Sequence, residues 1–236
     1  MKKTVIILSI CIMANMTSFG QCNSDSLIYK LPLKQLANRF VTDWDITKKF
    51  KKQHEFKYLT IDYAPAFWAH PFTFYLVPDS VKDLLVKDDN LTYEKMSQIN
   101  DTLSILKNLL YENGVDSTTY KRFLQINDTL SVACHSAHLN RMFTNDKEVI
   151  ILNKKERKKF DKINSWTETL NKFWKIYPHS GGIMWVSAIG YNDDCTEAIF
   201  YFVNETLHLG RMGYFAVCQY ESNNWVVKKI IPIFQG

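Results

Sequence analysis

Glycine is scarce in this chain, with only eight in 236 residues. Little material therefore exists for the tight loops that wrap phosphates or hold a catalytic turn. Three active-site signatures are absent: the Gly-x-Ser-x-Gly elbow of serine hydrolases, a phosphate-cradling glycine loop, and the His-Glu-x-x-His of zinc peptidases. Long apolar runs are missing as well. The run from Val5 to Met13 is too short to cross a bilayer as a helix, and no later stretch approaches the required length, which predicts no transmembrane segment. A large charge excess is also lacking. The formal net charge is +5, too mild to argue for nucleic acid. The basic clusters Lys48-Lys49-Phe50-Lys51-Lys52 and Lys154-Lys155-Glu156-Arg157-Lys158-Lys159 have no interleaved aromatic platform and read as solvated faces.

What the chain has is apolar and aromatic weight, 46% and 14% of its residues, which excludes a disordered chain. Its first twenty residues have the form of a leader: Lys2 and Lys3, the apolar run, then small residues in Ser18-Phe-Gly20. Residues 1–20 are thus read as a signal peptide cut before Gln21, and the protein as exported, either periplasmic or secreted. Removing the two leader lysines lowers the charge from +5 to +3. Cys22 invites a lipoprotein reading, but Gln21 stands where a small residue is required, which argues against lipid anchoring. Cys11 leaves with the leader. The four cysteines that remain, Cys22, Cys134, Cys195 and Cys218, allow three pairings in an oxidising compartment. If Asn204 opposes Arg211 in a hairpin, Cys218 faces Glu197. Cys195 is then a diagonal neighbour about 7 to 8 Å away, outside bridge geometry unless a bulge at Asp193-Asp194 closes the gap.

The fold is organised around residues 153–236. Asn153-Lys-Lys-Glu156 has capping-box form. From Phe160, apolar residues recur at Ile163, Trp166, Leu170, Phe173, Trp174 and Tyr177, one stripe of a single long helix. Pro178 and Gly181-Gly182 stop it. Four strands are predicted at Ile183–Ile189, Glu197–Val203, Met212–Tyr220 and Trp225–Ile231, bounded by turn formers. Connections this short favour antiparallel neighbours. Ala198 to Val203 is apolar on both faces and reads as central. Lys228 and Lys229, one on each face, mark the last strand as an edge.

Phe173-Trp-Lys-Ile-Tyr-Pro-x-Ser-Gly-Gly-Ile183, Val186-Ser-Ala-Ile-Gly-Tyr-Asn192, Glu197-Ala-Ile-x-Tyr201 and Asn224-Trp225-Val together carry a resemblance. Residues about 150–232 resemble the C-terminal module of a family of uncharacterised exported bacterial proteins. The resemblance implies a fold and a compartment, and no catalytic residues. Where that family has a cysteine- and glycine-rich turn before the third strand, this chain has Leu209-Gly-Arg-Met-Gly213.

In the N-terminal region, 21–148, a short helix is predicted from Leu33, after Pro32, and a strand at Tyr58–Tyr63. Ala64 to Pro78 is aromatic-dense and cut by Pro65, Pro71 and Pro78, so it reads as a loop covering core or as a ligand-facing lip. Thr92–Tyr111 is the clearest helix, ended by Asn113-Gly114. The string Thr92 to Ile105 recurs as Thr119 to Val132, a period too sparsely repeated for a solenoid and read as a helical hairpin joined near Gly114.

Cys134-His-Ser-Ala-His138 is the densest set of potential ligands. Cys134 and His138, four apart, share a helix face and form a weak metal candidate; a closed site needs two further ligands. Otherwise Cys134 is core, and the histidines are surface or locally bonded. A thiol nucleophile at Cys134 has no supporting signature. The Asn204 to Arg211 loop, with His208 and Arg211, is a place where binding residues sit.

The expectation is an α+β protein: a mostly helical N-terminal region (21–148), then a long helix packed on a four-stranded antiparallel meander (149–236), together one compact unit. It is read as exported and non-catalytic, with no cofactor, binding an unknown protein or a cell-envelope component. The alternative is a small-molecule or metal module with a cystatin-like or nuclear-transport-factor-like hollow, an analogy of architecture alone. An envelope thiol hydrolase comes last.

Overall fold

The computed structural model describes residues 25–42, 57–64, 102–128, 132–160, 166–206 and 210–235. In chain order these form helix α1 (Asp25–Thr42), strand β1 (Tyr58–Asp62) and helices α2 (Thr102–Glu112), α3 (Ser117–Asp128) and α4 (Val132–Met142). Strand β2 (Val149–Leu152), the single-turn helix α5 (Lys154–Arg157) and helix α6 (Trp166–Ile176) follow. Strands β3 (Ser180–Val186), β4 (Gly190–Tyr191), β5 (Glu197–Thr206), β6 (Gly210–Glu221) and β7 (Asn224–Gln235) close the chain.

The expected α+β class holds, but the sheet is mixed rather than a four-stranded antiparallel meander. Its seven described strands run in the order β2, β1, β3, β5, β6, β7, with β4 also pairing β5. β2, β1 and β3 are parallel; from β3 onward the neighbours are antiparallel. A parallel return needs a crossover of a dozen or more residues. The stretch between β2 and β3, read from the sequence only as a brace, is such a crossover.

The single long helix is also corrected. Asn153 does cap a helix: its side chain accepts from Lys155 N and Glu156 N, and Glu156 reaches back to Asn153 N at 3.0 Å. That helix lasts one turn, because Lys154 with Lys158 and Lys155 with Lys159 place like charges four apart, which destabilises the next turn. Residues 158–160 form a turn that buries Phe160 against Phe173 of α6, ring centroids 5.5 Å apart. Leu170, Phe173 and Tyr177 make the buried stripe beneath; Ile163 and the Trp166 side chain lie outside the described residues.

α1 begins earlier than predicted and runs through Pro32. An interior proline costs about 3 kcal/mol. Ile28, Tyr29, Leu33 and Leu36, each at most 4% exposed, outweigh this at about 1.5–3 kcal/mol per buried side chain.

Strand alternation divides the core. Ala198, Phe200 and Phe202 of β5 pack with α1 and α4, whereas Ile199, Tyr201 and Val203 pack with α2 and α3. β5 is therefore central and covered on both faces, as its sequence predicts, and β7 is an edge. Between β3 and β4 the regular register with β5 lapses, although Ser187 N still donates to Tyr201 O at 2.8 Å. Asn127 of α3 mends the gap by donating to Ala188 O at 3.1 Å and accepting from Ala188 N at 2.9 Å. Gly190 lies so close to α3 that a Cβ there would stand 2.6 Å from the Phe123 backbone. Asn127 and Gly190 thus seat α3 across the interruption.

Residues Asn113 to Asp116 join α2 to α3, with Gly114 at φ +81°, as the helical-hairpin reading expects. Tyr111 and Tyr120 meet edge to face across the junction. Of the first repeat copy only Thr102 to Ile105 is described; the aromatic segment 65–78 lies outside the described residues. The β5–β6 register is offset by one from expectation: Glu205 opposes Arg211, and Cys218 opposes Ala198. Cys195 is disulfide-bonded while Cys134 and Cys218 are in no disulfide, so the Cys195–Cys218 pairing is excluded. No described helix is long and apolar enough to cross a membrane.

Candidate functional site

Two polar clusters lie on opposite faces of the sheet. The first contains the sequence-predicted ligands. α4 does present Cys134 and His138 one turn apart, but the surrounding elements put His138 to another use. Its Nε2 stands 3.1 Å from Asp25 Oδ2 at the start of α1. The other oxygen of that carboxylate accepts a short hydrogen bond from the Tyr191 hydroxyl on β4. Burial and the Asp25 charge push the Tyr191 phenol far above its usual range, so it stays protonated and donating. Nearby, Tyr29 donates to Ser187 O at 2.7 Å. Among the described residues, no group of three or more His, Cys, Asp or Glu is placed to hold a metal.

His135, next to Cys134, is fully buried. Burial, reinforced by the His138 charge, drives its imidazole down to about 3. The Val186 backbone opposes that fall, but it does not meet hydrogen-bonding geometry, and neither ring nitrogen has a partner. His135 is thus a neutral core residue, and Cys134 is half-buried. Cys218, likewise in no disulfide, is pushed up to about 12 by burial. It is not a ready nucleophile, because the thiolate is the reactive form.

The second cluster was not anticipated, apart from Arg211. Trp185 on β3 has the Arg157 guanidinium 5.0 Å from its ring centroid and the Arg211 guanidinium 5.4 Å from it. Each guanidinium meets a buried carboxylate: Arg157 Nη1 lies 3.3 Å from Asp62 Oδ2, and Arg211 Nη2 lies 3.3 Å from Glu205 Oε2. Arg157 also lies over Phe160 at 5.3 Å. The four charges are formally balanced, and stacking on an indole face adds attraction to each cation. Asp62 is 2% exposed and Glu205 3%, whereas the Arg211 side chain is 53% exposed. The strip therefore begins in the core at β1 and ends in solvent at β6. Thr60, on the same face of β1 as Asp62, has a buried hydroxyl without a hydrogen-bond partner.

The sequence did contain a signal for this strip. Asp62 closes the apolar strand β1 and Glu205 stands one residue before the end of β5, and buried charges require partners. Their partners come from α5 and the β5–β6 hairpin, and no local pattern links those. His208 lies outside the described residues. Other surface pairing is ordinary: Arg122 reaches Asp193 at 2.6 Å, and Lys30 and Lys34 each approach Glu148 at 2.7 Å. Hydrogen bonds from Lys30 and Lys34 hold the Glu148 carboxyl down at about 2. Asn192 Oδ1 accepts from Thr196 N and Glu197 N, which is the turn role expected for this segment.

Neither family models, nor curated proteins, nor solved structures match this chain. The resemblance over residues 150–232 gains no support from them, and the functional reading rests on the geometry above.

Proposed function

We propose that the protein is an exported, non-catalytic binding protein that engages a protein partner or cell-envelope component through the Arg157–Trp185–Arg211 strip. The observation that carries this reading is the gradient along the strip, from buried, paired charge to an exposed guanidinium on an aromatic ring. Arginine and tryptophan are the residues around which binding energy concentrates at interfaces. The paired carboxylates hold the guanidiniums in place before any partner arrives, which lowers the ordering cost of binding. The disulfide at Cys195 supports an oxidising compartment and hence export.

Tyr29 packs on Phe200 and Phe123 on Phe215, with ring centroids 4.9 and 5.3 Å apart on the two faces of the sheet. These contacts fill ground that a cystatin-like or nuclear-transport-factor-like hollow would need, which favours a surface over an enclosed ligand. The His138–Asp25 pair favours a structural role for that histidine over the metal or thiol-hydrolase readings.

Retention of purified protein on washed cell-envelope fractions tests the surface. The Arg211→Ala variant is expected to lose roughly tenfold or more in retention, the size of a modest interface residue, with unchanged circular dichroism. Equal retention of the variant and the parent removes the strip from consideration. Mass spectrometry of the exported form tests the compartment: its N-terminal peptide should begin at Gln21, as glutamine or cyclised pyroglutamate, and an uncut chain confined to the cytoplasm ends the export reading.

A further inference from the structure

We propose that the partner received by the Arg157–Trp185–Arg211 strip is an acidic polypeptide segment, an inference that rests on the surface reading above. Charge is balanced where the strip meets the sheet, since Asp62 and Glu205 face the two guanidiniums. The turn that supplies Arg157 upsets that balance. Residues 154–159 set Lys154, Lys155, Arg157, Lys158 and Lys159 against one acid, Glu156, and the four lysines are exposed. The Glu156 carboxylate is turned back to Asn153 N as a cap, at 3.0 Å. Lys154 and Arg157, three apart on one helical turn, are neighbours. A cationic margin therefore borders the strip, and the fold brings it the aromatic ring that the lysine cluster lacks in sequence. Complementarity calls for an anionic partner.

The geometry favours peptide carboxylates among anions. Arg211 gives Glu205 one nitrogen, Nη2, at 3.3 Å, longer than the roughly 2.7–2.9 Å of a tight charge-assisted bond. More than half of its side chain is exposed, so its planar fork has donors to offer to both oxygens of an incoming carboxylate. Both guanidiniums lie within 5.4 Å of the centre of one indole ring. Carboxylates on alternate residues of an extended chain stand about 7 Å apart on one side, so one strand-like segment can meet both cations and pass on to the lysines. A bilayer fits less well. The Arg157 side chain is only 18% exposed, recessed from a flat headgroup plane. None of the large apolar side chains exposed among the described residues, Leu27, Val132, Ile176 and Tyr220, belongs to the strip to enter hydrocarbon. Single-stranded nucleic acid stacks on successive aromatic rings, and the strip has Trp185 alone.

The test is fluorescence anisotropy of a dye-labelled peptide of alternating Glu and Ser, titrated with the purified protein. Saturable binding that weakens as salt rises is expected, with binding of the same peptide carrying Gln for Glu weaker by roughly tenfold or more. Arg211→Ala should lose roughly tenfold with unchanged circular dichroism. Arg211→Lys keeps a cation facing Glu205, which guards the fold, and should still bind more weakly than the parent because an ammonium lacks the planar fork. The double variant Lys154→Gln with Lys155→Gln should weaken binding severalfold and flatten its salt dependence. Equal binding of the Glu and Gln peptides, parental affinity in both Arg211 variants, or capture of the protein by phosphatidylglycerol vesicles and not by the peptide overturns the acidic segment. If Arg211→Ala then still lowers retention on envelope fractions, the strip stands as a surface for a different partner; if retention is unchanged as well, both readings fall.

Discussion

The two faces of the sheet carry polar clusters of similar composition and opposite fate. On the α1 face, Asp25, His138 and Tyr191 close on one another, and His135 lies neutral and fully buried beside them. On the other face, Asp62, Arg157, Trp185, Arg211 and Glu205 form a strip that reaches solvent at Arg211. Each cluster joins a helical segment or a hairpin end to the sheet. Residue type therefore does not distinguish a clasp from a surface here; exposure does. His135 and His138, which drew attention in the sequence, lie at the clasp, whereas the surface strip joins Arg211, noted for its hairpin position, to Arg157, which was not singled out.

The largest test of the contrast removes the apolar support of the enclosed face. Phe200→Ala should cost about 3–5 kcal/mol, read as a shift in the urea midpoint, because Phe200 is fully buried against Tyr29. A loss below about 1 kcal/mol would mean that α1 is not packed as described. At the buried end of the strip, Asp62→Ala removes the carboxylate that faces the Arg157 guanidinium. Truncating one partner of a buried pair costs about 3–5 kcal/mol, and Asp62→Asn should recover part of it.

Acid titration separates the faces next. Folded His135 is held near 3 by burial, then by the His138 charge, whereas an unfolded histidine titrates near 6.5. Between those pH values the unfolded chain binds the extra proton. This histidine's unfavourable contribution is therefore absent above about pH 6.5 and grows by about 1.4 kcal/mol per unit as pH falls toward 3. His135→Phe should flatten that slope in pH-dependent denaturation curves, and an unchanged slope would show that His135 titrates normally. The smallest effect belongs to the exposed end. Arg211→Ala should cost about 1–3 kcal/mol, because it removes the half-exposed guanidinium that faces the buried Glu205 carboxylate, while reducing envelope retention. A larger loss of stability there would make the strip a clasp like its counterpart.

Much of the fold could be read from composition and spacing. The turns at Asn192 and Ser222-Asn223, the Asn153 cap, the apolar β5 and the lysine-marked β7 each declare themselves within a few residues. What stayed hidden was long-range. Val149 to Leu152 is a four-residue apolar run without alternation, and its partner β1 lies far back in the chain. Parallel pairing leaves no local mark of the kind that a hairpin turn leaves. Pro32 misplaced the start of α1 because its local penalty was weighed without the four buried side chains around it. Arg211 was noticed for its hairpin position, but Trp185 gave no sign of sitting beneath it. The cysteine register slipped by one residue because the β5–β6 hairpin extends to Thr206 and Gly210, past the boundary that the turn formers suggested.

Asn127 works as a surrogate for one residue of strand: a primary amide offers the Ala188 backbone the same donor and acceptor that a neighbouring peptide group would. The sheet thus borrows a rung from a helix 61 residues away in sequence. An aspartate at 127 would lose the donor and a leucine both bonds. The length of chain between the two points leaves the rung untouched as long as that single amide reaches Ala188.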